Sequence, residues 1–220
     1  MTDSDADSLA QSNVDRRRLV RDGYDHLAET YAAERDQDEG ERQLLRELLD
    51  RIDDAEPTVL DAGCGDGTAA TRPLAEAGAD VVGLDVSRAQ LELASRGGGA
   101  AATLAQGDLT ALPFEPETFD AVCAFHSVIH VPRDEHETVF AEFERVLRPN
   151  GWLLVTLGEG AWEGSNPDWL DGGAEMSWSF HDIDRSKDAL DAAGFSVENE
   201  WTLDDELGGG QWRYVLARCR

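Results

Sequence analysis

The chain has 220 residues and a mass of 24.0 kDa, a length that suits one α/β domain better than two. Its formal charge is −27 at pH 7 and its sequence pI is about 4.3, so we expect neither nucleic acid nor an anionic membrane among its partners. A small-molecule partner is the favoured expectation.

The N-terminal quarter is predicted to be helical after an unstructured start. Residues 1–13 are rich in Asp, Ser and Ala and offer little to bury, so we expect a disordered acidic tail. Residues 14–56 are expected to form a helical cap, with helices around 14–33 and 41–53. In the second of these, leucines and an isoleucine recur at helical spacing.

From residue 58 onward, short apolar runs alternate with helical stretches, which is typical of crossover units and a parallel sheet. The runs are TVLDA, DVVGLD, ATLAQ, FDAVCAF and WLLVTL. A later helix at 183–193 ends at Gly194, and the runs FSVENEW and QWRYVLARC follow it. We expect these last two runs to form an antiparallel pair that closes one edge of the sheet.

The stretch VLDAGCGDGT places Gly63, Gly65 and Gly67 directly after the first apolar run. Glycines at a strand-to-helix turn let a ligand approach the backbone N–H groups and the helix N-terminus closely. The spacing is G-x-G-x-G, whereas a dinucleotide fold prefers G-x-G-x-x-G. Asp61 in this stretch would repel a pyrophosphate but would suit a cationic ligand or an ammonium group.

Two further acidic residues follow the next two runs. Asp85 ends the run VVGLD, 22 residues beyond Gly63, where a carboxylate can accept hydrogen bonds from both hydroxyls of a ribose. Asp108 follows ATLAQ and could accept a hydrogen bond from an adenine amino group, with Leu109 packed on the ring.

Taken together, these segments resemble the class I S-adenosylmethionine-dependent methyltransferases. The matching segments are VLDAGCGDGT, VVGLDVS, GDLTALPF, FDAVCAFHSVIHV and RVLRPNGWLLV, in the family's usual order and within residues 20–157. The resemblance implies a Rossmann-like, doubly wound, mostly parallel seven-stranded sheet with an antiparallel edge strand. It also implies a donor-binding core at 57–157, an acceptor-side loop at 158–182, and a C-terminal helix and strand pair at 183–220.

By the same resemblance, S-adenosylmethionine is the expected cofactor and lies across the carboxyl ends of the first and fourth strands. Gly63 and Gly65 would contact its methionine portion, Asp85 its ribose and Asp108 with Leu109 its adenine, while Asp61 would orient its ammonium group. The other residues expected to contact the donor are Cys64, Val86, Phe125 and His126.

The segment YDHLAETYAAE is similar to a pattern that many family members place over the donor. Tyr24 and Tyr31 are seven residues apart and so share one helical face. Contact with the donor and packing of this helix on the sheet are equally supported readings.

The segment FHSVIHVPRDEH contains three histidines without a Glu or Cys at a spacing that would complete a zinc site, so no metal is expected. His126 follows the fourth strand beside the expected methyl group, where it could act as a general base or shape the pocket. His130 matches a position where the family often has histidine and is a candidate for acceptor binding.

The segment after Leu157 is glycine-rich and contains Trp162, Trp169 and Trp178. Because it follows the fifth strand, where the acceptor pocket is expected, these rings could wall an apolar or planar substrate. The alternative is a flap packed by its own aromatic side chains.

The sequence therefore predicts methyl transfer to a small molecule, with the protein a monomer or homodimer. The alternatives are a noncatalytic donor-binding or regulatory protein on the same fold and a nicotinamide-dependent oxidoreductase, which the glycine spacing and Asp61 disfavour. The three cysteines form no Cys-x-x-Cys pair, the N-terminus is acidic and polar, and no apolar run approaches 18 residues. These features predict a cytoplasmic location without a membrane span.

The basic residues indicate a salt-adapted surface. Of the 19, 18 are arginine and only Lys187 is lysine, while acidic residues occur along the whole chain. Evenly acidic, lysine-poor surfaces resemble those of proteins from salt-loving organisms, in which salt screens the repulsion between like charges.

Lowering the salt concentration from about 1 M to about 0.1 M is expected to reduce the melting temperature, because the repulsion between acidic groups is then screened less. Thermal unfolding followed by circular dichroism at both concentrations measures this. A melting temperature that is unchanged or higher at low salt would contradict the halophilic interpretation.

Overall fold

The structure is a computed structural model that describes residues 3–35, 38–96, 102–205, 207 and 210–220. In chain order, the helices within these residues are α1 (Asp3–Glu34), α2 (Glu39–Leu49), α3 (Thr71–Glu76), α4 (Arg88–Arg96), α5 (His136–Val146) and α6 (Ile183–Ala192). The strands are β1 (Thr58–Ala62), β2 (Asp80–Asp85), β3 (Thr103–Gln106), β4 (Phe119–Ala124), β5 (Leu147–Gly158), β6 (Trp162–Asn166), β7 (Met176–Phe180), β8 (Phe195–Asp204) and β9 (Gln211–Cys219).

Seven strands form one sheet in the order β3-β2-β1-β4-β5-β9-β8. The strand β9 pairs antiparallel with both β5 and β8, and the other pairs in this sheet are parallel. The predicted mostly parallel seven-stranded sheet, closed at one edge by an antiparallel pair, is confirmed. The reversed strand is β9, and β8 lies at the edge.

The order of the strands reverses between β1 and β4. The chain runs from β1 outward to β3 and then returns to β4, which pairs with β1 on its other side. In open α/β sheets a crevice forms at this switch point, outside the carboxyl ends of the strands. The segments that follow β1, β2 and β4 therefore meet at one place.

The helices cover both faces of the sheet and bury two apolar clusters. In α2, Leu44, Leu45 and Leu48 pack on one face, where Val59 and Leu154 are also buried. On the other face, α5 and α6 bury a cluster that includes Phe140 and Phe143 of α5. The N-terminus of α2 is fixed by Asp38, whose side chain accepts a hydrogen bond from the N–H of Gly40.

The expected disordered tail at 1–13 is wrong from Asp3 onward, because residues 3–13 form the first turns of α1; residues 1 and 2 lie outside the described residues. Asn13 is buried and its side-chain N–H donates to Asp134 at 2.9 Å, which anchors this end of the helix. Although α1 is 32 residues long, its composition is polar. No helix in the described ranges combines the length and apolarity needed to cross a bilayer.

The segment 158–182, expected to be a loop, contains a two-stranded antiparallel sheet of β6 and β7. A short 3₁₀ turn at Trp169–Asp171 lies between the two strands. The hairpin packs on the cap and on the segment after β4, because β7 contacts both α1 and the 3₁₀ turn at Val128–His130. Much of the segment that the glycine content predicted to be a loop is therefore a hydrogen-bonded β-hairpin.

Candidate functional site

A cavity of about 710 Å³, its open mouth included, lies at the carboxyl ends of β1, β2 and β4. The predicted site residues that line it are Tyr24, Tyr31, Gly63, Gly65, Asp85, Val86, Asp108, Leu109, Phe125, His126 and His130. The lining residues that sequence reasoning missed are Arg17, Val20, Leu84, Gln90, Gly107, Ser127 and Val131. The topology thus brings together most of the predicted residues.

The glycine turn after β1 forms the floor of the cavity. A Cβ atom on Gly63 would lie 2.2 Å from the Cβ of Ser127, so only glycine fits there. Gly65 has φ +54°, and a Cβ atom on it would meet only the side-chain oxygen of Gln90, at 3.8 Å. The backbone at Gly65 is therefore open to a ligand.

Asp85 ends β2 at the side of this turn and is buried. One carboxylate oxygen accepts a hydrogen bond from the N–H of Gly65 and the other from the N–H of Ser87, both at 2.8 Å. Burial raises the pKa of Asp85 to about 6, although these N–H groups oppose the rise. The carboxylate is held rigidly and retains lone pairs for a ligand.

Asp61 lies beneath the turn, outside the cavity lining. Its carboxylate accepts a hydrogen bond from the hydroxyl of Thr71 at 2.6 Å. Burial raises the pKa of Asp61 to about 7, against the effect of the Thr71 hydrogen bonds. Cys64 is likewise buried and outside the lining, so direct contacts of Asp61 and Cys64 with a ligand remain predictions.

Gln90 is a buried residue of α4 whose side chain borders the cavity. Neither its amide nitrogen nor its carbonyl oxygen has a hydrogen-bond partner. Buried polar groups are nearly always paired, so this carboxamide has both a donor and an acceptor to offer a ligand.

Asp108 and Leu109 follow β3 and line one end of the cavity. One carboxylate oxygen of Asp108 accepts from the N–H and the hydroxyl of Thr110, and the other pairs with Arg17 of α1 at 2.9 Å. Arg17 also pairs with Glu135. The cap is therefore fastened across this end of the cavity by a guanidinium group.

His130, in the 3₁₀ turn after β4, also lines the cavity. It is buried, and both of its ring nitrogens are hydrogen-bonded. Its Nδ1 lies 2.9 Å from the carbonyl oxygen of Ser177, to which only an N–H can donate, and its Nε2 accepts from the hydroxyl of Tyr24 at 2.9 Å. Burial lowers the pKa of His130 to about 4, so the ring is neutral at pH 7.

The three tryptophans of the hairpin lie behind the cavity rather than among its lining residues. Trp169 contacts Tyr24 and Tyr31 with ring centroids 5.8 and 5.5 Å apart, and Trp178 contacts His130 at 5.6 Å. Trp162 is 47% exposed and packs on Trp178. Substrate contact by the tryptophans stays a prediction, and Trp169 and Trp178 support the residues that form the wall.

His126 follows β4 directly and has φ +51°, a conformation that non-glycine residues seldom adopt. Its Nε2 atom lies 2.8 Å from both the Glu41 carboxylate and the Tyr214 hydroxyl. Burial and the charge of Arg35 lower the pKa of His126 below its ordinary value, while Glu41 opposes this. His126 is thus held within a buried polar cluster.

Glu41, in α2, lies at the centre of that cluster. It accepts hydrogen bonds from Arg35 at 2.9 and 3.1 Å and from the Tyr214 hydroxyl at 2.7 Å. Burial alone would raise the pKa of Glu41, but the hydrogen bond from His126 and the charge of Arg35 lower it to about 2. Sequence reasoning missed this residue because Glu41 is 85 positions from His126.

The described residues contain no group of three or more His, Cys, Asp or Glu side chains placed to hold a metal ion.

Residues 59–151 match the family model described as a methyltransferase domain. The chain is 38% identical over 122 residues to methyltransferase GfsG of Streptomyces halstedii, covering 53% of this chain and 43% of the relative. It is 31% identical over 175 residues to sterol 24-C-methyltransferase erg6 of Aspergillus fumigatus, covering 72% and 45%. The chain spans less than half the length of these curated relatives.

Among solved structures, magnesium protoporphyrin IX methyltransferase from Synechocystis PCC 6803 superimposes with a TM-score of 0.69 and 20% identity, covering 93% of this chain and 97% of that one. At this identity the similarity establishes the fold.

The buried Asp61 leads to a stability prediction. Its folded pKa of about 7 lies above the ordinary 3.8, so the folded state holds more protons and the free energy of unfolding falls as pH rises from about 4 to about 7. Asp61→Asn removes the buried charge and is expected to raise the melting temperature of the ligand-free protein at pH 8 by several degrees, at roughly 2–4 °C per kcal/mol.

Asp80→Asn is the matched control, because it removes one charge at an exposed position at the start of β2. Differential scanning calorimetry from pH 4 to pH 8 measures both variants. An equal gain for the two would mean that relief of surface repulsion, rather than burial of Asp61, accounts for the effect.

Proposed function

The chain is built on a class I S-adenosylmethionine-dependent methyltransferase domain, and from this we propose that it transfers a methyl group from S-adenosylmethionine to a small-molecule acceptor. The observation that carries the proposal is the group of polar side chains at the end of β2. There the buried Asp85 carboxylate and the unpartnered Gln90 carboxamide border one cavity beside the open backbone of Gly65.

The residues of the cavity suit the parts of this donor. Asp85 would accept hydrogen bonds from the ribose hydroxyls, and Gly63 and Gly65 would leave room for the methionine portion. Asp108 and Leu109 would hold the adenine. Gln90, which sequence reasoning did not identify, would supply a donor and an acceptor to the polar atoms of the donor molecule.

The charge of the site also favours this donor. S-adenosylmethionine supplies a methyl group on a positively charged sulfur and carries an ammonium group. Asp61 and Asp85 are both buried, and no ion pair in the described part of the chain neutralises either. A cation bound above them would favour their ionised forms and so would bind more tightly than a neutral ligand.

The acceptor would lie at the end of the cavity bordered by Phe125, His126, Tyr24, Tyr31 and His130. Phe125 is buried, and Trp169 and Trp178 support the tyrosines and His130 from behind. This aromatic wall favours an apolar or planar acceptor. For transfer from sulfur, the chain's main contribution would be to align the acceptor and exclude water.

A noncatalytic donor-binding protein on the same fold is the first alternative, and turnover on an acceptor distinguishes it from the proposed function. A nicotinamide-dependent oxidoreductase is disfavoured by the G-x-G-x-G spacing and by the acid beneath the turn. We also propose a cytoplasmic location and a monomeric or homodimeric state. A halophilic source is proposed because the chain is strongly acidic and nearly all of its basic residues are arginine.

Asp85→Ala is expected to weaken the binding of S-adenosylmethionine by roughly 1.5 to 3 kcal/mol, the range for hydrogen bonds to a charged group. Isothermal titration calorimetry at high salt and pH 8 measures this. An unchanged dissociation constant would remove Asp85 from the donor site.

The proposed function as a whole is tested by incubating the protein at high salt with labelled donor and a library of planar phenols, amines, thiols and alkenes. Formation of S-adenosylhomocysteine together with a methylated product is the expected result. Tight donor binding without turnover on any acceptor would favour the noncatalytic alternative.

His126→Ala separates two roles for this histidine on an acceptor found in that library. As a general base, His126 would contribute about 10²- to 10⁴-fold to turnover, and the variant would lose this while keeping its donor affinity. If His126 only shapes the pocket, the loss is expected mainly in the acceptor KM and is modest. Full activity with unchanged KM would contradict both roles.

A further inference from the structure

We propose that Glu41 is a positioning residue that holds His126 with its Nδ1 lone pair toward the acceptor, and that the acceptor is a hydroxyl compound whose proton this lone pair accepts. The inference rests on the proposed function and deepens it. It assigns a role to a buried cluster that lies outside the predicted donor site.

The hydrogen bonds of the cluster determine which nitrogen of His126 carries the proton. The Glu41 carboxylate is ionised and can only accept hydrogen bonds. The Tyr214 hydroxyl has one hydrogen, which it donates to Glu41 at 2.7 Å, so its oxygen can only accept from His126. Both neighbours of Nε2, each at 2.8 Å, are therefore acceptors, and Nε2 must carry the hydrogen.

The other nitrogen, Nδ1, then has the lone pair in the neutral ring. His126 borders both the cavity and a smaller pocket lined by Glu41 and Tyr214, and its Nε2 atom points to the smaller pocket. This leaves the Nδ1 side of the ring for the cavity, and Nδ1 is not one of the fully buried polar atoms without a partner. No hydrogen bond to it is formed within the described ranges. Its lone pair is therefore available to a molecule bound in the cavity.

His130 provides an internal comparison, because it borders the same cavity. Its Nδ1–H donates to the carbonyl of Ser177, and its Nε2 lone pair accepts from Tyr24. Neither nitrogen is left to accept a proton from a ligand. Of the two histidines that line the cavity, His126 has the free lone pair and the carboxylate partner.

Glu41 also stabilises the protonated ring that would form during the reaction. The acceptor's O–H bond breaks and its proton moves to Nδ1, while the oxygen's electron pair forms the bond to the methyl carbon. The carbon–sulfur bond of the sulfonium donor breaks and its electron pair stays on sulfur. The resulting imidazolium faces an ionised carboxylate, an arrangement typical of histidine bases.

A base that assists the attack itself is useful only if the attacking atom carries a proton that leaves as the new bond forms. A carbon–carbon double bond attacks through its π electrons and loses a proton only after the methyl carbon is bound. An aromatic amine attacks through the lone pair of its neutral form, and a thiol ionises near neutral pH without help. A phenol or other hydroxyl does need a base at pH 7. The aromatic wall suits a planar hydroxyl compound, and burial keeps His126 neutral and able to act at that pH.

The charged groups that act on His126 are Glu41, Arg35 and Asp205, with Tyr214 and His130 as the neighbouring titratable groups. Glu41 and Asp205 raise the pKa of His126, whereas Arg35 lowers it. Glu41→Gln removes a raising charge and leaves the Arg35 charge uncompensated. The pKa of His126 is therefore expected to fall further below its ordinary value in this variant.

The first test uses nitrogen-15 NMR on the unmodified protein at pH 7.5, with the His126 signals assigned by their loss in His126→Ala. The expected result is the tautomer protonated at Nε2, with Nδ1 unprotonated. The opposite tautomer would overturn the proposal, and this measurement needs neither donor nor acceptor.

The second test follows the titration of His126 in Glu41→Gln and in Glu39→Gln. Glu39 lies two residues away on α2 and is exposed, so its substitution removes the same charge from the same helix. The titration is expected to move to lower pH in Glu41→Gln only. Equal behaviour of the two variants would overturn the role of Glu41.

The third test measures turnover at saturating donor on the acceptors found in the library. A hydroxyl compound is expected among them, and Glu41→Gln is expected to lower kcat about 10- to 100-fold, less than loss of the base itself. The acidic limb of its pH profile is expected to move to lower pH, while donor affinity and the Glu39→Gln control stay unchanged. Transfer confined to alkenes, thiols or amines, or an acidic limb that does not move, would overturn the proposal.

These results distinguish the inference from the function on which it rests. If the unmodified protein neither binds the donor nor transfers methyl groups, the proposed function fails whatever the His126 tautomer. If it transfers methyl groups with Nδ1 protonated, only the present inference fails.

Discussion

The arrangement of cap, sheet and cavity depends on the hydrogen bonds that the buried carboxylate of Glu41 accepts. This carboxylate joins Arg35 at the end of α1, His126 after β4, and Tyr214 in β9, which lie far apart in the sequence. A buried charge is tolerated only when it is paired and hydrogen-bonded, and removing one partner of such a group typically costs about 3–5 kcal/mol. The cap is therefore held in one position over the sheet.

Arg35 extends this connection to a second residue that lines the cavity, Tyr31. Its guanidinium donates to the Tyr31 hydroxyl at 2.9 Å, and Tyr31 packs on Tyr24 and Trp169. One cluster thus orients two residues that border the proposed acceptor end, His126 from the sheet and Tyr31 from the cap. The tryptophans of the hairpin reinforce the wall without forming it.

The sequence was sufficient for the parts of the structure that rest on local signals. Apolar runs of five to seven residues that alternate with helical stretches specify a parallel sheet, because crossover connections put helices on both faces. The glycines after β1 mark the turn because a Cβ at Gly63 would collide with Ser127. Asp85 was identifiable because it ends a strand that lies beside that turn.

The features that could not be predicted depend on contacts between distant segments. Glu41 and Tyr214 are 173 positions apart, and nothing in the pattern of α2 distinguishes Glu41 from its solvent-facing neighbours. Gln90 reads as an ordinary helical residue, and its importance follows only from burial without a partner. Apart from Leu9, residues 3–13 are polar or alanine, so a helix fixed by polar contacts to the segment after β4 leaves no periodic signal.

The three buried acids near the cavity differ in a way that distinguishes its two ends. Glu41 has the cation Arg35 beside it, and its pKa lies at about 2. Asp61 and Asp85 are as deeply buried but have pKa values of about 7 and 6, because only hydrogen bonds offset their burial. The end near β1 and β2 is therefore complementary to a positive charge that the described residues do not supply. At the end near His126 the charge is already balanced by Arg35. A cationic donor beside an uncharged acceptor matches this distribution, and the reverse arrangement would leave Asp61 and Asp85 uncompensated.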